Sequence, residues 1–248
     1  MLLRAALSTV FLALVTLAGS FLAFVLRLFD RSGDSVLDLA RLWSRLVLGF
    51  AGVRVTVEWR GKLEPGQPYV FMANHLSAVD IWALFVALPV RVRMIAKKQL
   101  AAIPIFGWAM WAGRFIFVDR ANAAAARRSI EEAGRRIRGG DCVLLFPEGT
   151  RSRDGRLGAF KKGGFHLAIN AGVPIVPMAL AGTREAMPAG SLLLRSGHVH
   201  VIVGEPIATA GLTDAHRNQL LEEVRAKVAA MLSEPTAPTK LEPAASLS

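Results

Sequence analysis

Residues 69–89 read YVFMANHLSAVDIWALFVALP, and this stretch decides the fold class. The apolar run at residues 69–73 has the length and composition of a buried strand. Residues 79–88 are apolar enough for a short buried helix, which Pro89 would end. A strand that leads through a short turn into a helix is the repeating unit of α/β proteins.

The same alternation of strands and helices continues on both sides of this unit. Further strands are predicted at residues 53–59, 92–96, 115–118, 143–146, 173–180 and 199–203, and further helices at residues 104–112, 121–138, 165–171 and 213–232. Pro104 is expected in the first turn of its helix. We therefore expect a single α/β domain, residues 51–232, with a mixed, mostly buried sheet flanked by helices. Residues 233–248, rich in Pro, Ala and Ser, are expected to be a disordered tail.

The first 50 residues form a separate N-terminal region. No charged residue occurs between Arg4 and Arg27, and a helix over residues 5–26 would rise about 33 Å, enough to cross the hydrocarbon core. A signal peptide is the alternative, but its apolar core is usually shorter and no convincing small-x-small cleavage site precedes the charged segment. We predict a retained membrane anchor. Gly19 and Ser20 leave open whether it spans the bilayer or bends into a re-entrant hairpin.

A second, amphipathic helix follows within this region. Apolar residues recur between residues 36 and 50 at i, i+3, i+4, i+7 spacing, and Asp34 or Ser35 would cap the helix. The apolar stripe would either pack on the globular domain or lie in the membrane interface. The charges flanking the first segment nearly balance, so they do not orient it.

Composition indicates a partner and a compartment. The net charge of +11 and the hydrophobic fraction of 53% suit an anionic lipid surface. Nucleic-acid binding is not favoured, because the chain has one Tyr and no basic, aromatic-rich RNA motif. The single cysteine, Cys142, excludes an intramolecular disulfide and fits a reducing compartment. We expect a phospholipid membrane as partner, at the cell inner or cytoplasmic membrane with the catalytic domain facing the cytoplasm.

His75 and Asp80 are the candidate catalytic pair. His75 follows a predicted strand directly, and ligands gather beyond the carboxyl ends of such strands. A five-residue step does not share one face of a helix, so His75 must lie in the turn and Asp80 in the first helical turn. From there Asp80 could orient the imidazole while its other nitrogen takes a proton from a substrate hydroxyl. The competing interpretation is a capping box formed by Ser77 and Asp80.

Cations at the ends of other strands indicate an anionic ligand. In the segment FPEGTRS, residues 146–152, Gly149 allows close backbone approach and Arg151 offers a bidentate fork for phosphate. Glu148 could hold that guanidinium or bind a substrate hydroxyl. Lys97 and Arg120 also follow predicted strands. A solvated surface turn is the alternative, and the scattered histidines lack metal-ligand spacing, so no metal is predicted.

Four blocks of residues resemble, in order, those of the glycerolipid acyltransferases, specifically the 1-acyl-sn-glycerol-3-phosphate acyltransferases. The blocks lie between residues 74 and 178 and are Asn74-His75-x4-Asp80, Lys97-x2-Leu100-x6-Gly107-x12-Arg120, Phe146-Pro147-Glu148-Gly149-Thr150-Arg151-Ser152 and Val173-Pro174-Ile175-Val176-Pro177-Met178. The second block is the most specific because its spacing is long.

The resemblance implies an activity. It implies transfer of an acyl group from acyl-CoA or acyl-carrier protein to the sn-2 hydroxyl of 1-acyl-sn-glycerol 3-phosphate, which gives phosphatidate and needs no cofactor. His75 would be the general base and Asp80 would orient it. The other implied roles are phosphate binding by Lys97, Arg120 and Arg151, positioning of the glycerol by the Glu148, Gly149 and Thr150 segment, support from Asn74, and shaping of the acyl pocket by Pro174 and Pro177.

Two alternative functions remain open on the sequence. An acyltransferase of the same family could use another acceptor, such as glycerol 3-phosphate or a lyso-aminolipid. A non-enzymatic lipid-binding membrane protein would need the basic, apolar surface but not His75 and Asp80. A serine hydrolase is disfavoured because the chain has no Gly-x-Ser-x-Gly nucleophile elbow.

Overall fold

The computed structural model describes residues 2–119 and 122–234. Arg120, predicted to bind phosphate, and residues 235–248 of the tail predicted to be disordered lie outside the described residues. The first two residues of that tail are ordered: Ser233 ends a helix, and Glu234 pairs with Arg60 at 2.5 Å.

The described residues form one seven-stranded mixed sheet, as the sequence predicts. Its strands are β1 (Val53–Trp59), β2 (Val70–Ala73), β3 (Val92–Lys97), β4 (Ile116–Val118), β5 (Cys142–Leu145), β6 (Ile175–Ala181) and β7 (Gly197–Val203). Their order across the sheet is β1-β7-β6-β2-β5-β3-β4. All neighbours run parallel except β6 and β7, which are antiparallel.

Helices cover the sheet and precede it. They are α1 (Leu2–Phe29), α2 (Asp34–Ala51), α3 (Val79–Ala87), α4 (Phe106–Ala112), α5 (Ala123–Arg138), α6 (Gly163–Ala171), α7 (Thr183–Ala186) and α8 (Arg217–Ser233), with short 3-10 helices at Lys98–Ala102 and Asp214–His216.

Both faces of the sheet are buried, which is why its central strands read as unbroken apolar runs. In β2, Val70 and Met72 join the core under α5, α6 and α8, whereas Phe71 and Ala73 join the core under α2 and α3. The alternation of side chains along a strand therefore divides four consecutive apolar residues between two cores.

The first helix is continuous from Leu2 to Phe29 and passes through Gly19 and Ser20 without a break. The re-entrant hairpin that the sequence left open is therefore not formed. By length and composition alone, Ala6–Phe29 could cross a membrane, and little of this segment is buried against the protein.

The second helix packs on the domain along only part of its predicted apolar stripe. Val36 and Val47 are buried, whereas Leu46 and Phe50 stay exposed. Arg41 donates to the carbonyl oxygens of Phe85, Leu88 and Val90 at the end of α3, at 2.9–3.2 Å. These bonds satisfy carbonyls that the end of α3 leaves without intrahelical partners.

Two predictions about helix starts are wrong. The cap of α2 is neither Asp34 nor Ser35, because the Asp30 carboxylate accepts the N–H groups of Ser32, Gly33 and Ser35. Gly33 precedes the helix with φ 78°, which glycine adopts without strain.

Pro104 does not begin α4. Ile105 has φ 67° and ψ −58°, and the Phe106 N–H donates to the Pro104 carbonyl at 2.7 Å. This tight γ-turn delays the helix to Phe106.

Candidate active site

The His75 side chain bonds directly to Asp80, as the five-residue spacing predicts. β2 ends at Ala73, and His75 lies in the turn that follows, while Asp80 is the second residue of α3. The Nδ1 atom of His75 lies 2.7 Å from Oδ2 of Asp80. Since a carboxylate only accepts, Nδ1 carries the proton in the neutral imidazole and Nε2 is left as the basic nitrogen. No described residue hydrogen-bonds to Nε2.

Asp80 is fully buried and serves the helix as well as the histidine. Its Oδ2 atom also accepts the backbone N–H groups of Leu76 at 2.7 Å and Ser77 at 2.8 Å. The bond from Ser77 is half of the capping box that competed with the catalytic interpretation, so the two interpretations are compatible. The other half is absent: the Ser77 hydroxyl donates to the Met187 carbonyl and accepts from the Val79 N–H.

Asn74 fixes the backbone just before the histidine. Its side-chain amide donates to the Leu180 carbonyl at 3.0 Å and accepts the Leu180 N–H at 2.8 Å. The buried amide thus continues the ladder between β2 and β6 for one more position. Asn74 thereby ties the backbone before His75 to β6.

The loop after β5, residues 146–152, encloses His75 from a second direction. The ring of Phe146 stacks on the imidazole, with centroids 3.9 Å apart and planes 9° apart. The Glu148 carboxylate accepts the His75 N–H at 2.8 Å, and the His75 carbonyl accepts the Ser152 N–H at 2.8 Å. Ring and backbone are both held, so Nε2 keeps one orientation.

Glu148 itself points into the protein. Its second carboxylate oxygen accepts the Gly158 N–H at 2.9 Å, and the residue is buried. Burial raises the pKa of Glu148, an effect opposed by the two backbone donors. No described ion pair joins it to Arg151. The side chain holds the backbone around His75, which differs from the sequence expectation of a contact with that guanidinium or a substrate hydroxyl.

The imidazole opens onto a cavity of about 1170 Å³. One part of its wall is apolar and comes from the helices α1 to α4, including Leu12, Trp43, Phe85 and Met110. The other part lies beside His75 and is polar. Lys97, Gly149, Thr150 and Arg151 all line the same cavity. The structure therefore brings these four predicted site residues together with the base.

The two described cations of the predicted phosphate site have no acidic partner. Lys97 ends β3 and Arg151 follows β5, and both side chains are exposed. Within residues 2–119 and 122–234, no carboxylate forms an ion pair with either. The adjacent Lys98 pairs with Asp119 at 3.3 Å instead.

The structure does not bring Pro174 or Pro177 into the wall of this cavity. The Pro174 carbonyl accepts the Val70 N–H, and the Pro177 carbonyl accepts the Gly204 N–H. Pro174 directly precedes β6 and Pro177 lies in it, and β6 pairs with β2.

Sequence reasoning missed two residues that shape the site. Phe146 was assigned to a strand, and its position directly before the Pro-Glu-Gly turn was the available signal for its stacking on His75. Nothing in the sequence marks Gly158 as a residue of the site. A Cβ atom there would lie 2.8 Å from Oε2 of Glu148, so only glycine admits the carboxylate.

Fold and site together define an α/β protein with a histidine–carboxylate base at the mouth of an apolar cavity. The Acyltransferase family model matches residues 54–181, and this chain belongs to that family. The match runs from Arg54 in β1 through β6 and includes the described site residues 74, 75, 80, 97 and 146–152, whereas the cavity residues of α1 and α2 lie outside it.

Named relatives agree with this assignment. The chain is 34% identical over 228 residues to a chloroplastic 1-acyl-sn-glycerol-3-phosphate acyltransferase of Brassica napus, which covers 90% of this chain and 65% of the relative. It is 36% identical to human 1-acyl-sn-glycerol-3-phosphate acyltransferase alpha, over 70% of this chain and 62% of the relative. The chain spans 52–65% of the length of the curated relatives it matches.

A solved structure extends the likeness to the whole fold. The crystal structure of the 1-acyl-sn-glycerophosphate acyltransferase from Thermotoga maritima matches with a TM-score of 0.77 at 26% identity. The match covers 95% of this chain and 98% of that chain. It therefore includes the N-terminal helices as well as the sheet.

Proposed function

We propose that this protein transfers an acyl group from a thioester donor to the free hydroxyl of 1-acyl-sn-glycerol 3-phosphate and releases phosphatidate. The observation that carries the proposal is the His75–Asp80 pair, whose free nitrogen faces a cavity with two unpaired cations beside it and apolar walls beyond. A base, an anion site and an apolar chamber are the three features that this reaction requires. The names of the relatives add independent support.

The reaction balances with the chain's own groups. Nε2 of His75 takes the proton of the acceptor hydroxyl as its oxygen attacks the thioester carbonyl carbon. The C–O bond forms, the C–S bond breaks, and the proton passes from the imidazolium to the departing thiolate. Asp80 stabilises the imidazolium while it exists. The acceptor hydroxyl attacks directly, so no enzyme nucleophile and no cofactor is needed.

Phosphate recognition would come from Lys97 and Arg151, to which Arg120 would be added. A guanidinium binds phosphate in a bidentate manner, and an ammonium binds it as a point charge. Gly149 has φ 74° and forms a tight turn with Phe146. The segment from Gly149 to Thr150 thereby brings backbone to the cavity wall, where it would position the glycerol.

The apolar wall would take the acyl chains. It is built from the N-terminal helices as well as from the domain, because α1 and α2 supply Leu12, Ala23, Leu39 and Trp43. The N-terminal region would therefore be part of the substrate site and would also bring the enzyme to its substrate. Both the donor and the acceptor carry long apolar chains that need such a chamber.

We further propose that the protein is bound to the cytoplasmic or inner membrane, with its catalytic domain on the cytoplasmic side. Support comes from the exposed apolar side chains of α1, including Leu14, Phe21 and Leu28, and from the net charge of +11. The donor would be acyl-CoA or acyl-carrier protein, both of which present a thioester.

The test is an acyl-transfer assay of the purified protein with both thioester donors and a panel of acceptors. We expect phosphatidate from 1-acyl-sn-glycerol 3-phosphate, and Arg151→Ala should raise the acceptor KM more than it lowers kcat. If the protein prefers glycerol 3-phosphate or a lyso-aminolipid, that compound is the acceptor in place of 1-acyl-sn-glycerol 3-phosphate. Absence of thioester release with every acceptor would leave a lipid-binding protein and refute the proposal.

A further inference from the structure

A third cation, Lys161, lies in the wall of the cavity that holds His75. It belongs to the segment between the 146–152 loop and α6. Its backbone N–H donates to the Pro147 carbonyl at 2.8 Å, which ties it to that loop. The preceding Phe160 is buried and stacks on Phe165 of α6, with centroids 6.3 Å apart. Lys161 is therefore held at a fixed place next to the catalytic loop.

The charge of Lys161 is not compensated by the protein. No carboxylate among the described residues forms an ion pair with it, and the same holds for Lys97 and Arg151. The two buried carboxylates of the site are already engaged, Asp80 with His75 and Glu148 with backbone N–H groups. Three cations thus line one cavity without a counterion from the described residues.

We propose that Lys161 is a third contact from the described residues for the phosphate of the acceptor, beside Lys97 and Arg151 and in addition to the Arg120 proposed above. The inference rests on the proposed function and deepens it. A phosphate monoester carries close to two negative charges near neutral pH and offers three acceptor oxygens. Three separate cations match that group better than a phosphodiester, whose single charge is satisfied by fewer partners. Lys161 would then favour acceptors that end in a phosphate monoester over lyso-lipids whose phosphate is esterified twice.

The neighbouring residue supplies a matched control. Lys162 is also exposed and carries the same charge, but it does not line the cavity. Substitution of either lysine by alanine removes one positive charge from the same stretch of chain. A general electrostatic effect on a negatively charged lipid would appear in both variants, whereas a contact with bound phosphate would appear only in Lys161→Ala.

The experiment measures KM and kcat of the full-length protein with 1-acyl-sn-glycerol 3-phosphate and, separately, with the acyl donor. Lys161→Ala should raise the acceptor KM about tenfold, as expected for one charge-assisted hydrogen bond at a solvent-accessible site. The donor KM of Lys161→Ala should stay within twofold of the wild-type value. The acceptor KM of Lys161→Arg should lie closer to that of wild type than to that of Lys161→Ala, and Lys162→Ala should behave as wild type.

Three results would overturn the inference. A rise in the donor KM alone would assign Lys161 to a phosphate of the donor, and equal effects of Lys161→Ala and Lys162→Ala would reduce it to surface charge. An unchanged acceptor KM would remove it from the site altogether. If wild type does not use this acceptor at all, the proposed function fails first, and that outcome is seen before any variant is compared.

Discussion

The Glu148 carboxylate accepts one hydrogen bond from the His75 N–H and another from the Gly158 N–H. Glu148→Gln keeps the shape but replaces one acceptor oxygen with an NH₂ group that faces a backbone donor. We expect the free energy of unfolding to fall by about 1–3 kcal/mol, the penalty for an unsatisfied buried group. Displacement of the base should lower kcat about 10- to 100-fold.

Steady-state kinetics and urea denaturation check this prediction. The acceptor KM should remain within twofold, because Glu148 is a positioning residue and does not touch the phosphate. Glu222→Gln, on the exposed face of α8, is the control and should leave kcat and stability unchanged. A large rise in acceptor KM in Glu148→Gln would instead indicate direct substrate contact.

His200 on β7 gives stability a dependence on pH. The residue is buried, its Nε2 lies 3.6 Å from the Glu58 carboxylate, and its Nδ1 has no hydrogen-bond partner among the described residues. Burial lowers the pKa of His200; Glu58 opposes this, and His198 and Arg60 add to it. Below the unfolded value of about 6.5, the unfolded chain binds a proton more readily than the folded one. Stability is therefore lost as pH falls from 6.5 toward the folded pKa.

Urea denaturation between pH 7.5 and 5 measures this dependence. Wild type should lose more free energy of unfolding over that interval than His200→Gln. Parallel curves for wild type and His200→Gln would contradict the assignment.

The sequence predicts the catalytic pair at the residue scale but not the shell around it. The spacing of His75 and Asp80 follows from local geometry, since five residues fit a turn that leads into a helix. The bonds of Asn74 to Leu180 and of Glu148 to Gly158 depend on strand order, which no local pattern contains. Glu148 was therefore predicted in the site, but its bonds to the N–H groups of His75 and Gly158 were not predicted.

At the scale of elements, Arg93 joins the N-terminal region to the sheet. This buried residue of β3 lies 2.8 Å from carboxylate oxygens of both Asp34 and Asp141 and donates to the Ser32 carbonyl at 2.9 Å. Arg93→Met removes the buried partner of Asp34 at the start of α2 and leaves it only the more distant Arg91, at 3.7 Å. We expect a loss of about 3 kcal/mol in the free energy of unfolding. This is the lower end of the range for breaking a buried ion pair, because Asp34 is partly exposed.

A neighbouring arginine is the control for this prediction. Arg91 also pairs with α2, through Asp38 at 2.7 Å, but both side chains are about half exposed. Arg91→Met should cost under about 1 kcal/mol. Guanidinium unfolding followed by tryptophan fluorescence measures both variants, and equal losses would show that burial does not set the strength of this link.

The alternation of apolar runs predicts the elements themselves, because most strands are buried on both faces. The alternation does not predict the first residue of a helix where contacts with another part of the chain determine that residue. Gly107 illustrates the difference. The sequence alone does not explain why this position of the second block is glycine. In the structure, a Cβ atom at residue 107 would lie 2.3 Å from the Ala101 carbonyl oxygen. Only glycine lets α4 pack this closely on the short helix after Lys97.

At the scale of the whole molecule, the exposed side of α1 is the expected membrane contact. Leu14 is 61% and Phe21 is 68% exposed, and the two lie seven residues apart on one face. Replacing both by serine should weaken binding to anionic vesicles at least tenfold, because each large apolar side chain contributes about 1.5–3 kcal/mol when withdrawn from water. Vesicle flotation measures the change.

Folding is the control for this double variant. Neither side chain is buried in the protein, so far-UV circular dichroism and the urea midpoint should match wild type. Retained vesicle binding at the wild-type level would remove α1 from the membrane contact and leave the exposed Trp108 and Trp111 of α4 as the next surface to test.

The central claim is that His75 is the base that activates the acceptor hydroxyl. Its most direct test is the rate of phosphatidate formation from 1-acyl-sn-glycerol 3-phosphate by purified wild type and His75→Ala at saturating donor and acceptor. We expect a decrease of about 10²–10⁴-fold in kcat with an unchanged urea midpoint. Phosphatidate formation by His75→Ala at the wild-type rate would contradict it.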